Sequence, residues 1–245
     1  MSELLSFGAG VNSVALAILL VNEGWRGPIV FADTGCEWPE TYCYLSYFEG
    51  GWLAPRGLSV TTLGGEWRPG KRARELSLIE YAEWYAYVPL AGIRWCTRTY
   101  KADPMARYAQ ANGIETQFLG IAADESHRQP LRSRPLVDRN ITRQGCIDII
   151  VAEGLDVPQK SGCYICPFQR DNQWRELWRL HPDLFDRAAR LEEAATARRG
   201  IFTTLDPAGK ITLRDRQYRY EHQGSLLDDS DWDALLAYRP CVCGL

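Results

Sequence analysis

The sequence lacks any apolar run that approaches the ~20 residues needed to cross a bilayer. Its apolar stretch at residues 14–21 follows a glycine turn, without the basic start and small-residue cleavage site of a signal peptide. An excess of positive charge is also missing, since the formal net charge is −3. Dedicated duplex-binding proteins are normally basic. We therefore expect a cytoplasmic protein that does not bind membranes and is not a dedicated duplex binder.

No internal repeat, low-complexity tract or clear linker divides the chain. Of its 245 residues, 46% are hydrophobic and 24% charged, which is the composition of a folded globular protein. The length is sufficient for one large domain with a smaller appendage. We predict an α/β domain at residues 1–160 and a helical, cysteine-rich C-terminal region at residues 161–245, packed on it.

Short apolar stretches alternate with segments rich in helix formers. Strands are predicted at residues 4–5, 28–33, 58–63 and 117–122. Helices are predicted at residues 14–22, 39–48, 103–112, 142–153, 174–180 and 182–199. This alternation implies a parallel sheet with crossover helices, and hence the α/β class. A Pro-Ala-Gly turn at residues 207–209 predicts a hairpin within residues 201–222.

A glycine-containing turn joins the first predicted strand to the first predicted helix. Between Ser6 and Ser13 the chain carries Gly8 and Gly10, which let the backbone approach a ligand closely. A strand that turns into a helix in this way directs backbone N–H groups and the positive end of the helix at one point, where phosphate binds. The turn has no lysine and so is not a Walker loop. A tight turn without a ligand is the alternative.

Polar residues follow the second predicted strand, where open α/β sheets bind ligands. Asp33 or Glu37 can hold Mg²⁺ or contact a ribose. Thr34 lies between them. Capping of the next helix by Thr34 and Glu37 is the alternative interpretation.

The chain has 8 cysteines, which in a cytoplasmic protein do not indicate a disulfide framework. Cys163 and Cys166 form a Cys-x-x-Cys pair that places two thiolates on one turn. Such a pair suits Zn²⁺ or an iron–sulfur cluster, and spacing alone does not separate the two. Either site usually needs four ligands, so other cysteines must contribute.

Taken together, several blocks resemble the phosphoadenylyl-sulfate (PAPS) reductase family of the adenine nucleotide alpha-hydrolase, or N-type ATP pyrophosphatase (PP-loop), superfamily. These blocks are residues 6–13, the segment Phe31 to Thr41, Cys96-Thr97 with Tyr100-Lys101, and Gly120-Ile121 with Asp124-Glu125-Ser126. The resemblance implies a five-stranded, twisted parallel sheet with helices on both faces and an adenine nucleotide at the strand ends. Two positions depart from the family's turn: Gly8 replaces a serine, and Asn12 replaces an aspartate often linked to Mg²⁺.

The same resemblance implies a [4Fe–4S] cluster, with zinc as the alternative. Cys96 is similar to one member of the Cys-Cys pair that, with a later Cys-x-x-Cys, holds the cluster in APS reductases. Its neighbour here is Trp95, so one ligand of that pattern is missing. We expect Cys146 to supply it, because ordering the rival Cys241 in the terminal tail costs more entropy. The predicted ligands are therefore Cys96, Cys146, Cys163 and Cys166.

The resemblance also implies roles for residues outside the turn. Cys243 resembles the nucleophilic cysteine near the C-terminus of sulfonucleotide reductases, although Val242 stands where that family has glutamate. Lys101 and Arg128 fit phosphate or sulfate partners. The predicted catalytic residues are Cys243, Asp33 and Lys101. The predicted nucleotide contacts are Ser6, Gly8, Gly10, Asn12, Ser13, Asp33, Thr34, Glu37 and Arg128.

Two enzymatic versions follow from the resemblance. A reductase binds APS or PAPS and releases sulfite with help from a thiol reductant. A sulfurtransferase binds ATP, adenylates a nucleic-acid or small-molecule acceptor, and passes on sulfur from a donor protein. A non-catalytic nucleotide-binding or zinc-stabilised interaction module is the alternative, and a homo-oligomer is compatible with each.

Overall fold

The computed structural model describes residues 2–64, 76–127 and 133–222. Its strands are β1 Glu3–Phe7, β2 Ile29–Ala32, β3 Val60–Leu63 and β4 Thr116–Leu119. They form one parallel sheet in the order β3-β2-β1-β4. Arg128, Cys241 and Cys243 lie outside the described residues.

Helices connect and follow the strands. They are α1 Val11–Asn22, α2 Pro39–Phe48, α3 Leu78–Tyr85, α4 Trp95–Thr97, α5 Asp103–Ala111, α6 Pro135–Asp138, α7 Arg143–Ala152, α8 Asp171–Leu180, α9 Pro182–Arg199 and α10 Leu213–His222. Single π turns occur at Glu49–Leu53 and Arg98–Ala102, and 3₁₀ turns at Ala54–Arg56 and Ala123–Glu125. Among the helices of the described ranges, none is long and apolar enough to cross a membrane.

Successive side chains of a strand point to opposite faces of the sheet, and an apolar cluster covers each face. In β1, Leu5 and Phe7 belong to the apolar cluster that contains α1, α2 and α7. Leu4 points the other way, into a smaller cluster with Val30 and Met105 of α5. The α/β fold with a helix-flanked parallel sheet is therefore confirmed. The described residues contain four strands, where the resemblance predicts five.

The predicted hairpin over residues 201–222 is wrong. A turn does form at Gly209, which has a positive φ of 65° and donates its N–H to Asp206 O at 2.9 Å. The chain then enters α10 and not a strand. Thr212 Oγ1 accepts from Asp215 N at 3.1 Å, while Asp215 Oδ2 accepts from Thr212 N at 2.8 Å. This reciprocal capping starts a helix.

A buried carboxylate fixes the start of α10 against α9. Glu192 is 2% exposed. It accepts hydrogen bonds from Thr204 Oγ1 at 2.8 Å, Leu205 N at 2.5 Å and Leu213 N at 2.6 Å. The apolar cluster around α8, α9 and α10 also contains Cys36 and Trp38 from the N-terminal half. The division at residue 160 stays a prediction.

The strand order creates a crevice beside β1. The chain passes from β1 to β2 and β3 on one side, whereas β4 pairs with the other edge of β1. Open α/β sheets bind ligands at the carboxyl ends of strands where the order reverses in this way. Here β1 leads directly into α1, and β4 ends beside the start of that helix. A Cβ on Gly120 would lie 2.7 Å from Ser13 N.

Replacing Gly120 tests this close approach. We expect Gly120→Ala to destabilise the fold by about 1–3 kcal/mol, because backbone atoms of Asn12 and Ser13 must move away from the added methyl group. Urea unfolding measures the change. Gly50→Ala is the control, since nothing lies within 4 Å of a Cβ at that position. Equal stability of Gly120→Ala and the wild-type protein would contradict the close packing.

Candidate active site

A cleft of about 450 Å³ lies at the reversal of strand order. The glycine turn and the start of α1 form one wall, and the end of β4 with Gly120 and Ile121 forms another. The remaining lining residues are Phe31, Ala32, Thr97, Lys101, Ala102, Met105, Gln117, Leu119, Glu125, Arg143, Lys160 and Ser161. The lining thus combines apolar contacts with three cationic side chains and the carboxylate of Glu125.

The hydroxyl of Ser13 organises the glycine turn. It accepts hydrogen bonds from the N–H groups of Gly8 and Gly10, both at 3.2 Å, and donates to Gly10 O at 3.0 Å. Ala9 has a positive φ of 51°, which turns the chain sharply before the helix. The cleft is lined by Ser6, Gly8, Gly10, Asn12 and Ser13. The structure therefore brings these five predicted nucleotide contacts together.

The first turn of α1 presents free backbone donors to the cleft. Val14 is the first residue whose N–H bonds back to a helical carbonyl, that of Gly10 at 3.0 Å. The amides of Val11, Asn12 and Ser13 therefore have no acceptor within the helix. Together with the positive end of the helix dipole they form a site for an anion.

Ser161 closes the cleft from the C-terminal part of the chain. A Cβ on Gly10 would lie 2.6 Å from Ser161 Oγ, so a larger residue at position 10 would displace that hydroxyl. Lys160, beside it, donates to Gln173 Oε1 at 3.1 Å. Burial lowers the pKa of Lys160. Sequence reasoning missed Lys160, Ser161 and Gln117, because no local pattern marks a residue that tertiary packing brings to a cleft.

Asp33 and its neighbours lie beside the cleft and not in its lining. Asp33 Oδ1 accepts from Gly35 N at 2.8 Å and from the Tyr42 hydroxyl at 2.7 Å. Burial raises the pKa of Tyr42, and the neighbouring Asp33 carboxylate raises it further. Thr34 donates to Glu37 Oε1 at 3.1 Å. The residues that line the cleft do not include Asp33, Thr34 or Glu37.

Glu37 instead pairs with the Cys-x-x-Cys turn. Glu37 and Cys163 form an isolated antiparallel bridge, flanked by the bond from Trp38 N to Gly162 O at 2.9 Å. The Cys163 thiol lies 3.6 Å from Glu37 Oε1 and 3.2 Å from Thr34 Oγ1. This bridge joins positions 126 residues apart in the chain.

Lys101 connects this bridge to the cleft. Its ammonium lies 2.9 Å from Glu37 Oε1, and the Glu37 side chain is only 1% exposed. Burial alone lowers the pKa of Lys101, but the attraction of Glu37 and then of Cys163 outweighs it, so the pKa is raised. Lys101 also lines the cleft. One cation thus faces both the cleft and the cysteines.

Cys96 and Cys166 lie near Cys163. Burial raises the pKa of Cys96, and Cys163 acts in the same direction. Burial likewise raises the pKa of Cys166 to about 11, again helped by Cys163 and Cys96. Both shifts favour the neutral thiol, and metal binding at these cysteines would release a proton from each.

Cys146 does not join this group. It is fully buried in the apolar cluster of α1 and α7. After burial, the groups that shift its pKa are Asp124, Arg143 and Glu125, with no cysteine among those influences. Cys36 lies closer to the group, since Cys163 is the neighbour that raises its pKa most after burial. Cys36 is 1% exposed and belongs to the second core cluster.

Metal-binding geometry for a single ion is missing from the described part of the chain. In those ranges, no group of three or more His, Cys, Asp or Glu side chains is placed to hold a metal ion. Arg128 and Cys243, which were predicted to contact nucleotide and to act as nucleophile, lie outside the described residues.

A parallel α/β sheet with a cleft at its reversal point, where a helix begins, is the arrangement of doubly wound ligand-binding proteins. The family model of the phosphoadenosine phosphosulfate reductase domain matches residues 3–150. Because this match covers more than half of the 245 residues, the chain belongs to the PAPS reductase family.

Two relatives show how far the similarity extends. Phosphoadenosine 5'-phosphosulfate reductase of Buchnera aphidicola is 24% identical over 149 residues, which cover 61% of this chain and 55% of that protein. The uncharacterized nin region protein ORF290 of Escherichia phage lambda is 27% identical over 154 residues, covering 55% and 52% respectively. The chain thus spans about half the length of the curated relatives it matches.

Two solved structures are similar at low sequence identity. The phosphoadenylyl-sulfate reductase from Candida auris, in a phosphate complex, has a TM-score of 0.45 at 13% identity, covering 66% of this chain and 82% of that one. The U34-tRNA thiolase NcsA from Methanococcus maripaludis, with its [4Fe–4S] cluster, has a TM-score of 0.40 at 11% identity, covering 93% and 82%.

A double-mutant cycle tests the ion pair between Lys101 and Glu37. We expect Lys101→Met to destabilise the protein by about 1–3 kcal/mol, because it leaves the buried Glu37 carboxylate without its partner. Adding Glu37→Gln removes that charge and should recover most of the loss. Urea unfolding of the four proteins gives the coupling. Strictly additive effects would show that the two side chains do not interact.

Proposed function

We propose that the protein binds an adenine nucleotide in the cleft and carries out sulfur chemistry at the adjoining cysteines. The observation that supports this most directly is Lys101, which lines the cleft and also pairs with Glu37 beside Cys163. Membership of the PAPS reductase family agrees with this interpretation.

In this proposal the phosphate or sulfate end of the nucleotide lies at the start of α1. The free amides there, and the side chains of Lys101, Lys160 and Arg143 in the same lining, supply the donors and positive charge that an anion needs. Phe31, Met105 and the other apolar lining residues offer contact surface for the adenine. A predominantly apolar lining with a few placed polar groups is typical of small-molecule sites.

We propose further that Cys96, Cys163 and Cys166 hold an iron–sulfur cluster. Thiolates are the ligands of such clusters, and a four-iron cluster takes its ligands at separate corners, so they need not surround one point as for a single ion. The lack of a group placed for a single ion among the described residues is therefore compatible with a cluster. When bound, the cluster would supply iron that can carry sulfur or electrons. Cys146 is not retained as a ligand, because it packs in a different core cluster.

The residues of this chain would then prepare the reaction. Lys101 would attract the anionic end of the nucleotide and keep the Glu37 carboxylate compensated next to Cys163. In the reductase version, the Cys243 thiolate attacks the sulfonate sulfur, and AMP or PAP leaves with the electron pair. A second thiol then forms a disulfide with this cysteine and releases sulfite. In the sulfurtransferase version, an acceptor oxygen or nitrogen displaces pyrophosphate from ATP before sulfur replaces the adenylate.

Product analysis under anaerobic conditions tests the function. Sulfite from APS or PAPS with a dithiol would support the reductase version, and pyrophosphate with AMP from ATP would support the transferase version. Binding of a nucleotide without either turnover would favour the non-catalytic alternative. Absence of binding to ATP, APS and PAPS would contradict the proposal altogether.

Substituting Ser13 tests the role of the turn. We expect Ser13→Ala to weaken nucleotide binding about tenfold, or ~1.4 kcal/mol, because Gly8 N and Gly10 N lose the acceptor that holds the turn in shape. Titration calorimetry measures the affinity. Ser46→Ala is the matched control, since that exposed hydroxyl bonds only to Tyr42 O at 3.2 Å among the hydrogen bonds of α2. Unchanged affinity in Ser13→Ala would remove the turn from the binding site.

Cysteine variants test the cluster. After anaerobic purification, we expect Cys96→Ser, Cys163→Ser and Cys166→Ser each to lose iron, acid-labile sulfide and visible absorption, because each removes a ligand. Cys146→Ala should keep all three, since its side chain packs with α1. A colourless wild-type protein that carries only zinc would contradict the cluster, and loss of iron in Cys146→Ala would restore that residue as a ligand.

A further inference from the structure

An exposed aromatic ring and a cation border the proposed cluster ligands. Phe168 follows Cys166 closely in the chain and is 48% exposed. The guanidinium of Arg94 lies over this ring, 5.5 Å from its centroid. Arg94 itself directly precedes Trp95 and Cys96. The contact between Arg94 and Phe168 therefore joins the two segments that carry these cysteines.

Ring contacts extend this surface away from the cysteines. The ring centroid of Trp95 lies 5.1 Å from that of Tyr81 and 5.2 Å from that of Tyr87. Tyr81 in turn lies 4.7 Å from Tyr85. The residue beside Tyr85 is Trp84, whose side chain is 60% exposed. A continuous series of rings thus connects the neighbourhood of the cysteines to an exposed indole on α3.

Arginines accompany these rings. The guanidinium of Arg199 lies 4.4 Å from the ring centroid of Tyr87. Arg198 donates a hydrogen bond to the carbonyl oxygen of Trp84 at 3.4 Å. We define the aromatic–arginine surface by its exposed rings and the guanidinium groups beside them: Trp84, Tyr87, Arg94, Phe168, Arg198 and Arg199.

The aromatic–arginine surface carries positive charge. Glu83, a carboxylate of α3, is paired with Arg187 through hydrogen bonds at 2.5 and 2.8 Å. Its negative charge is therefore compensated, whereas Arg94, Arg198 and Arg199 are exposed cations. The chain as a whole has a net charge of −3, so this is a local concentration of positive charge. Charge complementarity favours an anionic partner.

The combination of flat rings and guanidinium groups favours unpaired nucleic-acid bases. Such bases stack on aromatic side chains and on arginine planes, while arginines also attract the phosphates. An acidic protein would meet the charges but offers few flat faces to Phe168 and Trp84. A duplex hides the faces of its bases, and extruding one costs stacking and pairing energy. RNA, by contrast, presents unpaired bases in its loops.

Resting on the transferase version of the function proposed above, we propose that the aromatic–arginine surface binds an unpaired segment of an RNA acceptor. One base stacks on Phe168, and the arginines contact the phosphates of the same strand. The acceptor then lies beside Cys96 and Cys166, on the side of the molecule where the sulfur is proposed to be carried. The nucleotide cleft stays available for ATP, because none of these surface residues lines it.

Binding of labelled oligonucleotides to the full chain tests this surface. The probes are a short fluorescein-labelled RNA that cannot pair with itself, single-stranded DNA of the same sequence, and the corresponding RNA duplex, each followed by fluorescence anisotropy. We expect Phe168→Leu to weaken RNA binding about tenfold at every salt concentration, because a stacking face is lost without loss of charge. We expect Arg94→Gln to reduce the slope of log affinity against log salt by about 0.7, because one phosphate contact is lost.

Exposed side chains elsewhere provide matched controls. Tyr218 of α10 is 64% exposed, and Arg107 is exposed on α5. Tyr218→Leu and Arg107→Gln remove the same kinds of group and should leave both the RNA affinity and its salt dependence as in wild type. Phe168→Tyr keeps a ring and should retain the affinity that Phe168→Leu loses. Equal losses in the control variants would overturn the assignment to this surface.

The results separate this surface from the nucleotide site. If the wild type binds ATP but not the RNA, the surface assignment is wrong and the nucleotide site stands. Equal or tighter binding of the DNA or of the duplex would contradict a site for unpaired RNA. A dithiol protein that binds the wild type but not Phe168→Leu, while RNA does not bind, would assign the surface to a protein partner. If RNA binds as expected but no nucleotide does, the surface is an RNA site and the proposed function fails.

Discussion

The candidate site depends on the compensation of one buried charge. The Glu37 carboxylate is almost fully enclosed, and burial of a charge is expensive unless it is paired. Lys101 provides that pairing from the wall of the cleft. A phosphate in the cleft and a thiolate at Cys163 would therefore both be attracted by the Lys101 ammonium. In the proposed function, an anion bound in the cleft would change the electrostatic conditions at Cys163 through Lys101.

Two close approaches at glycines shape the cleft. Gly10 allows Ser161 to approach, and Gly120 allows the end of β4 to contact the start of α1. Because main-chain groups held by strands and a helix cannot rotate away, the donors at the start of α1 are already in place before a ligand binds. The side chains that could adapt are the cations around the rim. The backbone thus fixes the positions of the hydrogen-bond donors, and the side chains supply the positive charge.

The features that can be predicted from the sequence are those that neighbouring residues determine by themselves. The apolar strands, the turn ending at Ser13 and the Cys-x-x-Cys pair carry patterns that can be recognised without coordinates. Sequence reasoning preferred Cys146 to Cys241 because of the entropy cost of ordering the terminal tail, whereas helix packing takes Cys146 into another core cluster. It missed Lys160, because only the folded chain brings it beside α1. The predicted hairpin is wrong because the capping interaction between Thr212 and Asp215 starts a helix where a second strand was expected.

The bridge between Glu37 and Cys163 has a consequence for biosynthesis. It joins positions 126 residues apart, and the Trp38 indole is fixed by Gln169 Oε1 at 2.9 Å. A ribosome-bound chain that ends before these later residues cannot assemble the surroundings of Cys163. The contacts of Glu37 and Trp38 with these residues therefore form only after most of the described chain has been synthesised.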